Sequence, residues 1–304
     1  MKPTSALLAL LLAAAPATLL AQADPHAGHA HPAPAPTAPA TASPAAAPAL
    51  PPNEAIPPDA DGAKAALAAS PRHGDWVDLA LADGTRLLTW VVYPETRTKA
   101  GVVLVIHEIY GLTDWVRGVA DQLAEDGFIA LAPDLLSGLG PNGGGTEALG
   151  ADVTKTIRTL TPEQVAARLD VVRDYALKLP AAGGKAASVG YCWGGSMSFA
   201  YATLQPKLSG AVVYYGSSPS DPAAYARIAA PVLGLYGADD ARVNATIPTA
   251  EAEMRKLGKP FTAHLFEGAG HGFLRQQSGR DGANRKAAEK AWAATLAFLR
   301  ERLK

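Results

Sequence analysis

The amino-acid sequence predicts an α/β fold with a mostly parallel central sheet and helices on both faces. Short, continuously apolar runs recur at 102–106, 128–132, 187–190, 211–215, 232–236 and 261–266, and amphipathic segments separate them. A strand with one solvated face alternates polar and apolar residues. One that is apolar throughout is covered on both sides. The composition allows such a core, since the 304 residues are 48% hydrophobic and only 18% charged.

Taken in chain order, the first residues read as a secretory signal. Lys2 supplies the positive start, an apolar stretch runs from 6 to 20, and Ala21-Gln22-Ala23 offers small residues for cleavage. Pro16 interrupts a stretch already short for a membrane span. A signal peptide over 1–23 is expected, with export to the periplasm or medium and no stable membrane insertion after cleavage. Residues 24–72 are expected to form a disordered tether, dominated by Ala and Pro up to about Asp61. Its His26, His29 and His31 could hold a metal weakly, but they lack a folded frame, and no metal site is expected.

The folded domain is expected over 73–304. It opens with a hairpin of 76–81 and 86–93 joined through Asp83-Gly84. Helices follow near 115–125, 162–179, 194–204, 223–228, 247–257 and 284–303. A net charge of −1, with Lys and Arg scattered, leaves no footprint for nucleic acid. The single cysteine, Cys192, excludes an internal disulfide, so it is either an inert buried thiol or a nucleophile.

Its surroundings favour the nucleophile. Gly190-Tyr191-Cys192-Trp193-Gly194-Gly195 carries a strand into a helix with glycines two residues either side of the thiol, the spacing of a nucleophile elbow. The helix N-terminus there favours thiolate over thiol. Two later loops supply partners. Strand 232–236 ends in Gly237-Ala238-Asp239-Asp240, and Gly270-His271-Gly272-Phe273 follows the next strand. Nucleophile, acid, histidine is the chain order of this kind of site. Asp240 is preferred as the acid because it lies three residues after Gly237, with Asp239 left open as the alternative.

Strand 102–106 leads into His107-Glu108-Ile109-Tyr110-Gly111. The Ile109 and Trp193 amides are expected to form an oxyanion hole, where losing one donor costs about 3–4 kcal/mol. A zinc-protease reading of His107-Glu108 fails because position 111 is Gly. Gly138-Leu139-Gly140-Pro141-Asn142-Gly143 formally matches a dinucleotide fingerprint, but Pro141 interrupts it and no first strand leads directly into it. The stretch 138–150 reads instead as a mobile loop over the pocket. Asn244-Ala245-Thr246 matches a glycosylation sequon of a kind that often arises by chance.

Together with Ala132-Pro133-Asp134-Leu135, these motifs make the domain resemble the dienelactone hydrolase family from about His73 to Lys304. The resemblance implies an α/β-hydrolase fold and a triad of Cys192, His271 and Asp240, with neither metal nor organic cofactor. It also implies that Glu108 helps deprotonate the cysteine when substrate binds, and that Arg275 and Tyr110 bind substrate. A second arginine of the family falls on Gly138, so small neutral esters or lactones are expected to serve at least as well as dienelactone. The function expected is an exported, cysteine-dependent, monomeric hydrolase of small esters or lactones, of carboxymethylenebutenolidase type. A thioesterase or acyltransferase with the same triad, and a non-catalytic binding module on the same fold, are the alternatives.

Overall fold

An antiparallel hairpin edges a sheet that is otherwise mostly parallel. The computed structural model describes residues 53–304. The segment expected as a signal peptide, the expected tether as far as residue 52, and His26, His29 and His31 therefore lie outside the described residues. Strand β1 (Gly74–Ala80) pairs antiparallel with β2 (Arg86–Val92), with Trp76 opposite Trp90. β2 also runs antiparallel to β4 (Ile129–Pro133). From β4 the sheet continues in parallel through β3 (Ala100–Ile106), β5 (Ala182–Tyr191), β6 (Gly210–Tyr214), β7 (Val232–Gly237) and β8 (Phe261–Phe266). The order is β1-β2-β4-β3-β5-β6-β7-β8.

Two cores result, one on each face, and β3 divides between them. Val102, Leu104 and Ile106 face one core with α3 (Pro162–Ala176), α4 (Trp193–Leu204) and α5 (Ile247–Lys256). Val103 and Val105 face the other with α2 (Asp114–Glu125) and α6 (Ala283–Arg302). The strict period of two sends successive apolar residues to opposite sides, which is why the strands read as unbroken apolar runs. Each fully buried Val, Leu or Ile contributes about 1.5–3 kcal/mol. The segment expected as a helix near 223–228 is a tighter 3-10 helix at Pro222–Arg227. No helix among the described residues is long and apolar enough to cross a membrane.

Two expectations are corrected. The ordered domain begins by residue 53 rather than 73. Ile56 is buried, helix α1 (Ala63–Ala69) packs on α2, and the Trp115 indole donates to the Pro58 carbonyl at 3.0 Å. The Gln277 amide donates to Pro57 O at 2.8 Å, and Arg72 pairs with Asp121 at 2.6 Å. The approach is close because position 118 has no Cβ, and one there would stand 3.0 Å from Pro58. Composition classed this stretch with the Ala/Pro-rich residues before it, and one buried isoleucine with a few backbone acceptors sufficed to order it.

The second correction concerns 138–150, which is pinned rather than mobile. Gly138 and Gly140 donate to Gly143 O and Gly144 O. Both Asp134 oxygens accept from Thr146, from its amide and its hydroxyl, each at 2.7 Å. The same hydroxyl accepts from the Leu112 amide at 3.0 Å, which ties this loop to the one after β3.

Candidate active site

All the candidate residues lie beyond the carboxyl ends of neighbouring parallel strands, where open α/β sheets gather their sites. The turn from β5 into α4 holds Cys192 at φ 55°, ψ −115°, a backbone conformation that costs a non-glycine residue about 1–3 kcal/mol. Its neighbours show why the turn needs glycine. A Cβ at 190 would lie 1.9 Å from Gly194 O, and one at 194 would lie 2.3 Å from the carbonyls of Ile106 and His107. The Cys192 side chain stays partly accessible.

The two aspartates after β7 are separated by their partners. Asp240 Oδ2 lies 2.6 Å from His271 Nδ1, whereas Asp239 Oδ2 lies 2.8 Å from Arg280 Nη1. The His271 loop is held by α6, where Asn284 Oδ1 accepts from the Gly270 amide at 3.0 Å. Burial works to keep the His271 ring neutral, but hydrogen bonds to Cys192 and Asp240 outweigh it and push the ring up to about 9. The ring of Tyr215 stands edge-on to His271 at 5.1 Å.

The loop after β3 contains a residue that the sequence analysis left without a role. His107 is fully buried, its Nε2 accepts from the Leu135 amide at 3.1 Å, and its Nδ1 lies 3.0 Å from Glu108 O. An accepting Nε2 requires the proton on Nδ1, and burial pushes the ring's pKa down, so it is neutral. It also stacks on Trp193 at 5.7 Å. His107 thus ties the Ile109 loop to the β4 turn and to the elbow. The Trp193 amide opens α4 and has no intrahelical acceptor, and the Ile109 amide has no backbone acceptor among the described residues.

Glu108 is buried and faces Arg275, Oε1 to Nε at 2.7 Å, an ion pair at contact distance without an aligned hydrogen bond. Burial pushes its carboxyl up to about 7 against the opposing pull of Arg275 and His271. The Arg275 guanidinium lies over the half-exposed Tyr110 ring at 5.0 Å. Gly138 has φ +84°, and a Cβ there would stand 2.4 Å from Thr85, so the hairpin turn closes that position to an arginine. Asn244 of the sequon spends its amide on the Gly237 and Ala238 carbonyls.

A cleft of about 400 Å³ opens on Cys192, with Ile109, Trp193, Ser196 and Tyr215 in its walls. Arg158 and Arg242 line it as well, and the sequence analysis missed both. Arg242 had a signal, two residues after Asp240, but Arg158 had none. No group of three or more His, Cys, Asp or Glu among the described residues could hold a metal ion.

The eight-stranded sheet, the strained elbow after β5 and the two loops that follow it in the chain define an α/β-hydrolase. The model of the dienelactone hydrolase family matches residues 87–303. The chain belongs to that family, and with it to the hydrolases of ester and lactone bonds. A relative in Saccharolobus solfataricus, provisionally named carboxymethylenebutenolidase, is 30% identical over 251 residues, 72% of this chain and 95% of the relative. In fold the chain is similar to a provisionally assigned dienelactone hydrolase of Klebsiella pneumoniae, with TM-score 0.67, 24% identity and coverage of 76% and 99%. It is also similar to a dienelactone hydrolase-like promiscuous phosphotriesterase from metagenomic libraries, with TM-score 0.66, 24% identity and coverage of 77% and 99%.

Proposed function

We propose that the protein is an exported hydrolase that cleaves a small ester or lactone through a covalent thioester on Cys192. The observation that carries this reading is the ring of His271, which meets Asp240 at 2.6 Å through Nδ1 and whose pKa is raised by its interactions with Cys192 and Asp240. The thiol proton passes to His271, and the sulfur attacks the scissile carbonyl carbon. The carbonyl oxygen, now an oxyanion, is held by the Ile109 and Trp193 amides. Collapse expels the alcohol, which takes the proton from His271 and leaves the acyl thioester. Water then attacks with His271 as base, and the carboxylic acid leaves as Cys192 regains its proton. In a lactone the alcohol stays attached to the acyl chain.

Asp240 orients the ring and stabilises its charged form. Glu108 acts as a second base near the thiol once substrate draws Arg275 away. Export is supported by Lys2, the apolar stretch 6–20 and Ala21-Gln22-Ala23. Mass analysis of the exported protein should find the mature chain starting near Asp24. The catalytic reading is tested with iodoacetamide and an aryl ester. One equivalent of label on Cys192 should abolish hydrolysis, and full activity in the labelled protein or in Cys192→Ala would refute the reading.

A further inference from the structure

Ser196 stands one turn beyond the nucleophile on α4, and its amide donates to Cys192 O at 3.1 Å. The loop after β6 presses on this turn because both 195 and 216 are glycine. A Cβ at 195 would lie 2.5 Å from Tyr214 O, and one at 216 would lie 2.3 Å from Ser196 N. The close approach fixes the Ser196 side chain, whose Oγ accepts from the Ser217 amide at 2.8 Å. With that lone pair engaged, the hydroxyl proton points away from the loop. Other helical hydroxyls spend their protons inside the protein. Thr203 donates to Ala200 O at 2.7 Å, Thr295 to Ala291 O at 2.9 Å, and Ser198 shares a bond with Ser188 at 2.8 Å. Ser196 does neither, and its proton has no acceptor among the described residues. Its side chain lines the cleft that opens on Cys192. Tyr215 lines the same cleft, is fully buried, and has a hydroxyl without a partner. The wall is therefore rich in neutral donors and short of acceptors.

We propose that Ser196 selects the acyl chain of the substrate, donating its hydroxyl proton to an uncharged hydroxyl or ether oxygen two or three bonds from the scissile carbonyl carbon. One helical turn rises about 5 Å, which sets how far along the acyl chain the donor reaches from the sulfur. A plain alkyl chain lying there would strip water from the hydroxyl and return no hydrogen bond. Leaving a desolvated donor unpaired costs more than the bond contributes when made, so selectivity comes chiefly from rejecting the alkyl analogue. The inference rests on the proposed function, in that the cleft at Cys192 is where the acyl group is held.

Three aryl esters with the same leaving group test it: a butyrate, a methoxyacetate, in which an ether oxygen replaces the third carbon, and a 3-hydroxybutyrate. Each kcat/KM is divided by the hydroxide-catalysed rate of the same ester, which removes the intrinsic effect of the oxygen. On that scale wild type should favour at least one oxygenated ester over the butyrate, and the favoured one identifies the position of the acceptor. Ser196→Ala should lower the preference by about three- to tenfold, the range of one neutral hydrogen bond. Ser196→Thr, which keeps the hydroxyl, should retain most of it. A Ser196 that serves only to hold the Ser217 loop would slow all three esters equally in Ser196→Ala, and that unchanged ratio would overturn the proposal. A wild type without any preference would overturn it as well, and that measurement stands even where Ser196→Ala fails to fold. Hydrolysis surviving in Cys192→Ala would overturn the nucleophile assignment instead, so the two failures are distinguishable.

Discussion

Glu108 Oε1 lies 2.7 Å from Arg275 Nε, with the carboxylate almost fully buried and the guanidinium a quarter exposed. The pair joins the loop after β3 to the loop after His271, and His271 itself is among the charges that act on Glu108. A carboxyl pushed up to about 7 by burial sits where a small change of surroundings switches its protonation near neutral pH.

Glu108→Gln keeps the shape and removes the charge. Turnover should fall by about 10²-fold or more, as for loss of a general base, while the melting temperature stays within a few degrees of wild type. Kinetics matching wild type would show that Glu108 serves only as the partner of Arg275.

The triad should act as a unit. Cys192→Ala and His271→Ala should each remove nearly all turnover, and the double variant should be no worse than the more severe single one. Additive losses in kcat/KM would mean that the two residues work independently.

Stability should decline as pH rises, in two windows. Both groups have folded pKa values above their ordinary ones, so each contributes stability at low pH that is lost as pH climbs to the folded value. For Glu108 the window runs from 4.5 to about 7, and for His271 from 6.5 to about 9. Denaturant midpoints measured across pH should show both slopes. Glu108→Gln should flatten the first and His271→Gln the second, and a wild-type midpoint level between pH 5 and 9 would contradict both shifts.

His107 is a positioning residue. It touches no reacting atom, but it holds the Leu135 amide and stacks on Trp193 beside the Ile109 loop. His107→Ala would leave the Leu135 amide unsatisfied, at about 1–3 kcal/mol, and free the loop to shift. The kcat should fall with KM little changed, because the donors are needed for the oxyanion and not for the ground state. His107→Asn, which can still accept from Leu135, should recover part of the loss. An equal rise in KM and fall in kcat for both variants would point to general damage.

Periodicity made most of the fold legible. The continuous apolar runs marked the parallel strands, and Gly190 with Gly194 marked the elbow, because only glycine tolerates the carbonyls pressed against those positions. Asp239 and Asp240 stayed ambiguous because adjacent residues differ by a direction that only the folded turn sets. Arg158 was illegible because it reaches the cleft from a short turn with no motif. The partner of Arg275, Glu108, was illegible because it lies 167 positions earlier in the chain and only the fold brings the two loops together.

The segment 53–72 ties stability to the site, and the last prediction concerns it. Its Pro57 and Pro58 carbonyls accept from Gln277 and Trp115, and Ala60 N donates to Arg275 O at 3.0 Å. A chain beginning at 73 would lose the Trp115 acceptor and one of the two acceptors of Gln277, whose amide also donates to Leu274 O at 3.1 Å, at about 0.5–1.5 kcal/mol for each bond lost. It would also expose the surface that Ile56 and Ala63 cover. At about 2–4 °C per kcal/mol for a domain of this size, its melting temperature should lie well below that of a chain beginning at 53. Ile56→Ala, which keeps every backbone contact, should cost about 2–5 kcal/mol by itself. Because Ala60 holds the Arg275 backbone, the shorter chain should also show a changed pH profile of kcat through the Glu108 range, which a loss of packing alone would not produce. Equal melting temperatures for chains starting at 53 and 73 would show that the segment contributes nothing to the fold. An unchanged pH profile in a destabilised shorter chain would confine its role to stability.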